Sequence, residues 1–214
     1  MKWDKYFIIN IQPRDTIIDI YAKKIQSRYN IPSNRSFYDR RDSGDIFAGF
    51  AGTTFNALPL SPTALTPVDR TSKLMIVSHG SEYGLHSMDM ATLARTLVNA
   101  GLKEVGLISF KACLTGKDQF LDILSKDIAM RGIDHGWLLG YREIALLPLS
   151  YSGSPWHTRL DTDEDRYLHD EHGYKSADQN RIRLVKGNID VVLPGTRRFS
   201  SVSPQLCNLR RRLT

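Results

Sequence analysis

The chain has 214 residues, of which 41% are hydrophobic, with a formal net charge of +6 and two cysteines. That length fits one domain, or one domain with an elaboration, and the apolar content is enough for a real core. No run approaches the ~20 apolar residues that a membrane-spanning helix needs; a disulfide between Cys113 and Cys207 is open to the chain, but their spacing shows no framework pattern and a reducing compartment is expected; and the moderate positive charge favours anionic partners.

In chain order, residues 6–11 predict a first strand; Lys2 and Lys5 precede an apolar run too short, and without the small-residue cleavage site, of a signal peptide. Asp15 is placed to cap a helix running to about Tyr29, with Ile17, Ile18, Tyr21 and Ile25 on one face. Residues 36–50 read as a hairpin turning at Arg41-Asp42-Ser43-Gly44, and residues 51–69, rich in Gly, Thr, Ser and Pro, as a long surface loop. Residues 74–77 are a short buried strand. Ser87 opens a helix whose apolar positions Met90, Leu93, Ala94, Leu97 and Val98 recur at helical spacing, with Gly101 just past its end. Residues 105–110 form the next strand. Residues 117–131 are a second amphipathic helix burying Phe120, Leu121, Leu124 and Ile128, stopped by Gly132. Residues 136–149 carry one or two strands, residues 150–174 are polar and irregular, and residues 181–193 read as two closing strands around a Gly187-Asn188 turn. There is no internal repeat. Residues 1–195 are expected to form the domain and residues 196–214 a basic tail.

Two strand ends carry the chemistry. Met75-Ile76-Val77-Ser78-His79-Gly80 delivers a histidine, and Leu107-Ile108-Ser109-Phe110-Lys111-Ala112-Cys113-Leu114-Thr115-Gly116 delivers a cysteine. Strand–helix–strand order makes the sheet parallel and doubly wound, so both residues are expected at one carboxyl edge, where α/β sheets gather their reactive groups. A free thiol is only about 3% ionised at pH 7. A nearby histidine takes its proton and later protonates the leaving amine. A helix expected to open directly after Cys113 would add partial positive charge in favour of a thiolate. The backbone N–H groups of Gly80 and Cys113 are candidates for an oxyanion hole. Taken singly, a cysteine at a strand end is usually a small buried hydrophobe and a His-Gly pair usually a turn; it is their joint placement that points to catalysis.

A strand ending in His79-Gly80 followed by one ending in Ala112-Cys113 resembles the caspase, gingipain and clostripain group of cysteine proteases. Lys111-Ala112-Cys113 is similar to the caspase Gln-Ala-Cys element, with Leu114-Thr115-Gly116 one residue longer. The closer resemblance is to the autoprocessing cysteine protease domain of large clostridial and RTX toxins, and to free-standing bacterial effector proteases of that type. It runs through residues 6–11, Lys73 to Gly80, residues 105–114, and Tyr174-Lys175 with Asn180 to Leu184, and so spans roughly residues 5–193. It implies a caspase-like α/β sandwich, with a mostly parallel central sheet flanked by helices and a C-terminal β-flap hairpin. It also implies a cysteine endopeptidase with His79 and Cys113 as its dyad. Inositol hexakisphosphate is the implied activator, held by basic residues matching Arg28, Lys73, Lys175 and Arg181, with Arg183 and Lys186 nearby. The segment between His79 and Cys113 is shorter than in the toxin domains. Met1 lies close to the first strand, so cleavage in trans is expected rather than autoprocessing. The implied setting is export without a cleaved signal and action on a host or target-cell protein.

Other readings of the chain are a catalytically silent relative that binds a host protein or an anionic ligand, and a basic nucleic-acid module; the second lacks aromatics interleaved with a dense basic patch. Residues 161–165 are similar to a calcium loop, but Arg166 and His172 stand where an EF-hand needs glycine and glutamate. His157, His169 and His172 lack a matched fourth zinc ligand, so no metal is expected.

Overall fold

The computed structural model describes residues 3–40, 55–86, 88–142 and 182–193. Seven strands make the main sheet: β1 Lys5–Asn10, β2 Ser36–Tyr38, β3 Leu58–Pro59, β4 Ser72–Val77, β7 Glu104–Lys111, β8 Asp134–Tyr141 and β9 Ile182–Lys186. Two short strands, β5 Gly80–Ser81 and β6 Gly84–Leu85, form a separate hairpin. The sheet order is β3-β2-β1-β4-β7-β8-β9, and every pairing in it is parallel except β8 with β9.

Period-two alternation divides the strand residues between two layers. Ile8, Met75 and Val77 pack with Ile18, Tyr21, Ala22 and Ile25 of α1, Thr16–Arg28. Phe7, Ile9, Leu74, Ile76, Ile108 and Phe110 point the other way. They meet Leu93, Ala94 and Leu97 of α2, Met90–Asn99, and Phe120, Leu121, Leu124 and Ile128 of α3, Phe120–Met130. The result is an α/β architecture with helices on both faces of a mostly parallel sheet. Among the described residues there are three α-helices.

The chain leaves β1 through α1 towards β2 and β3 on one side. It resumes at β4 and steps through α2 to β7 and α3 to β8 on the other side. Strand order therefore diverges between β1 and β4, the position at which an open α/β sheet leaves a crevice at its carboxyl edge.

Several expectations are corrected. Ile17 is 41% exposed and Val98 37% exposed, each lying at the margin of its apolar stripe. Asp89, through Thr92 N–H at 2.6 Å, caps α2, while Ser87 lies outside the described residues. The stretch read as a surface loop buries Phe55, Leu65 and Val68 and contributes β3, because Leu65 and Val68 join the core on the α2 face and Phe55 joins that on the α1 face. β2, expected to open a hairpin, instead pairs in parallel with both β1 and β3; the expected turn and return strand fall outside the described residues. After β9 the chain does not return as a second strand through residue 193. Asn188 Oδ1 instead accepts the His135 N–H at 2.8 Å, and Trp137 Nε1 donates to the Val191 carbonyl at 2.7 Å. The described part of the expected flap is thus the single strand β9.

Candidate active site

The site begins where β1 and β4 end. Their last paired residues are Asn10 and Val77. From there one chain runs through Gln12 to Asp15, and the other through Ser78 to His79. Asp15 is the N-cap of α1; its Oδ1 accepts the N–H groups of Ile17 and Ile18 at 2.9 and 3.1 Å. Its other oxygen, Oδ2, lies 3.0 Å from His79 Nε2. Burial alone would raise the Asp15 carboxyl, but the Ile18 N–H, the His79 side chain and charge, and the Ile17 N–H together hold it below the usual carboxylate range. An ionised carboxylate only accepts, so Nε2 carries a proton in either state of the ring, and in the neutral ring Nδ1 is the acceptor. The side chains of His79 and Asp15 are 44% and 35% exposed, so the pair is open to an incoming ligand.

His79 leads into the β5–β6 hairpin, closed by the Ser81–Gly84 pair. The His86 N–H donates to the His79 carbonyl at 3.0 Å. Antiparallel alternation then makes Gly80–Leu85 a non-hydrogen-bonded pair, with the Gly80 N–H turned away from the hairpin. Gly80 lies directly against the cysteine loop: a Cβ there would meet the Cys113 carbonyl oxygen at 2.5 Å and the Cys113 nitrogen at 3.1 Å. Only glycine permits that approach.

Cys113 is half-buried and not in a disulfide. It follows β7, the neighbour of β4, with Lys111 in register with Val77. Leu114, directly after it, has φ 58°, a left-handed conformation that strains a branched side chain and turns the chain sharply at the thiol. Gly116 N–H to the Tyr141 carbonyl (2.8 Å) and Lys117 N–H to the Leu114 carbonyl (2.9 Å) hold the loop. Beneath it, buried Lys111 donates to the Tyr141 hydroxyl at 3.0 Å, tying β7 to β8. Lys117 Nζ and Glu82 Oε2, 2.5 Å apart, clip the cysteine loop to the tip of the histidine hairpin.

The expectation that a helix opens directly after Cys113 is not met. α3 begins at Phe120, and the intervening residues form turns, so no helix N-terminus adjoins the thiol. Asp15 was legible in the sequence only as a helix cap. Its second role depends on β1 and β4 being neighbours, which local pattern does not reveal; a polar residue just past a strand's carboxyl end was the available signal.

The basic residues divide. Arg28 and Lys73 both lie over the Tyr29 ring, 5.7 and 5.2 Å from its centroid, and Lys73 is buried. Arg183 instead donates to the Asp118 carbonyl and, at 2.6 Å, to Asp122 Oδ2, bracing β9 against the cysteine loop and α3. Lys186 pairs with Asp190 at 2.7 Å. Lys175 and Arg181 lie outside the described residues, as do Cys207, His157, His169, His172 and residues 161–165. Among the described residues there is no group of three or more His, Cys, Asp or Glu able to hold a metal ion, and no helix long and apolar enough to cross a membrane. Comparison of the chain with protein-family models, curated proteins and solved structures gave no match.

Proposed function

We propose that the protein is a cysteine endopeptidase of caspase-like type in which Cys113 is the nucleophile and His79 the general base and acid. The observation that carries this reading is the meeting of three chain segments at one sheet edge. Asp15 lies on His79 Nε2, and Gly80 is pressed against the Cys113 backbone. Nδ1 of His79 takes the thiol proton, and the Cys113 sulfur attacks the scissile carbonyl carbon. The Gly80 and Cys113 N–H groups receive the negative oxygen. His79 then protonates the departing amine, and water, deprotonated by the same ring, hydrolyses the thioester. Asp15 holds the ring's tautomer and steadies its positive charge.

The resemblance to toxin-type proteases extends the proposal to a host or target-cell protein as substrate and to inositol hexakisphosphate as activator. Of the basic residues implied, Arg28 and Lys73 are brought together at the Tyr29 ring, which is what supports that extension. Lys73 lies on β4 six residues before His79, which stands just past that strand's end, about 20 Å away along the extended chain, so such a ligand acts at a distance.

The test is labelling of the purified protein by a peptidyl acyloxymethyl ketone, with and without inositol hexakisphosphate, read by mass spectrometry. The expected result is a single adduct on Cys113, lost in His79→Ala and accelerated by the polyphosphate. Equal labelling of wild type and His79→Ala sinks the dyad; labelling indifferent to the polyphosphate sinks only the activator.

A further inference from the structure

The backbone of β4 is paired on both sides as far as Val77. Beyond it the ladder fails: the Ser78 N–H reaches the Lys111 carbonyl only at 3.5 Å. The His79 N–H lies past the sheet's last carbonyl, and a side chain takes over. Gln12 Oε1 accepts the His79 N–H at 2.6 Å and the Ser78 hydroxyl at 2.8 Å. A backbone N–H can only donate, so the amide oxygen of Gln12, not its nitrogen, must face His79. Gln12 is itself fixed. Its N–H donates to Asn10 Oδ1 at 3.0 Å, its carbonyl accepts the Asp15 N–H at 3.1 Å, and it is 8% exposed. Its amide oxygen thus occupies the place that the next carbonyl of a longer β1 would fill, and it does so three residues before the carboxylate that grips the imidazole of the same histidine.

We infer that Gln12 is a positioning residue for His79: it fixes the backbone of the catalytic base while Asp15 fixes its ring. The inference rests on the Cys113/His79 reading. His79 lies beyond the paired part of β4, and with its N–H unheld it could shift relative to the sheet; a displacement of the order of 1 Å between base and thiol is enough to lose about a hundredfold in rate. Leucine at position 12 has similar bulk and no acceptor. Glutamate retains the acceptor and adds a negative charge, which stabilises the imidazolium and opposes the thiolate, moving the reactivity profile to higher pH.

The experiment measures iodoacetamide alkylation of Cys113 against pH in the full chain, for wild type, His79→Ala, Gln12→Leu and Gln12→Glu, with thermal melting alongside. Gln12→Leu is expected to slow alkylation near neutral pH roughly ten- to a hundredfold, towards the His79→Ala rate. Gln12→Glu is expected to restore the rate with its pH midpoint raised. A merely structural role would lower the melting temperatures without moving the pH midpoint. His79→Ala slow but Gln12→Leu equal to wild type overturns the role of Gln12 alone. His79→Ala equal to wild type overturns the dyad and the inference together. Should Gln12→Leu fail to fold, Gln12→Glu decides: an unmoved pH midpoint overturns the inference.

Discussion

Asp15 serves two partners with its two carboxylate oxygens, and the roles separate by substitution. Asn caps a helix about as well as Asp, so Asp15→Asn should leave α1 and the melting temperature nearly unchanged. It replaces an obligate acceptor with a group that also donates, so the His79 tautomer is no longer imposed, and turnover of a peptide substrate should fall by about a hundredfold or more. Asp15→Ala should show the same loss and in addition cost about 1 kcal/mol of stability in chemical denaturation, the cap being gone. Equal activity in wild type and Asp15→Asn would remove Asp15 from the mechanism. Gly80 gives a steric counterpart. A Cβ at 2.5 Å from the Cys113 carbonyl oxygen has backbone, not a flexible side chain, in its way. Gly80→Ala should therefore displace the cysteine loop and abolish turnover in a protein that still folds; a crystal structure of that variant with Cys113 unmoved would contradict the account. His79 and Cys113 were legible as candidate reactive residues because each follows an apolar run and comes shortly before a glycine. Asp15 and Gln12 were not legible as their partners, since what brings them there is the pairing of β1 with β4, strands far apart in sequence.

At the scale of elements, the parts whose pattern is local were readable. The stripe Phe120, Leu121, Leu124 and Ile128 is buried as periodicity predicts, and Gly101, with φ 85°, ends α2. What failed was the start of α3. Lys117 and Gln119 suit a helix by propensity and Asp118 suits its first turn, but the chain must first turn through left-handed Leu114 to bring Gly116 against the end of β8, and that long-range packing overrides propensity. The α3–β8 contact also contains the buried His135, whose Nε2 lies 2.8 Å from Ser125 Oγ. Burial disfavours its imidazolium and lowers its pKa from the ordinary 6.5, against a smaller opposing pull from the Ile133 carbonyl. The unfolded chain then binds the proton more readily than the folded one. His135's contribution is fully present above pH ~6.5 and declines as pH falls below it. Stability measured by urea denaturation should drop between pH 7 and pH 5.5, and His135→Gln should flatten that part of the curve. An unchanged slope in the variant would assign the pH dependence to other groups.

For the whole molecule, the site depends on three segments, each launched by a different parallel strand: residues 11–15 after β1, residues 78–86 after β4 and residues 112–119 after β7. Winding diverges at β1 and β4, the switch point at which open α/β sheets gather their ligand sites, and the third strand brings the thiol beside it. Sequence order alone suggested a parallel sheet but did not set which strands are neighbours, because the intervening β2 and β3 are short and lie on the far side of β1. The proposed activity is that this edge cuts proteins with Cys113. It is tested by expressing wild type and Cys113→Ala in a host cell and comparing the two proteomes for new protein N-termini. A discrete set of new N-termini is expected with wild type and not with Cys113→Ala; indistinguishable sets would overturn the proposed activity.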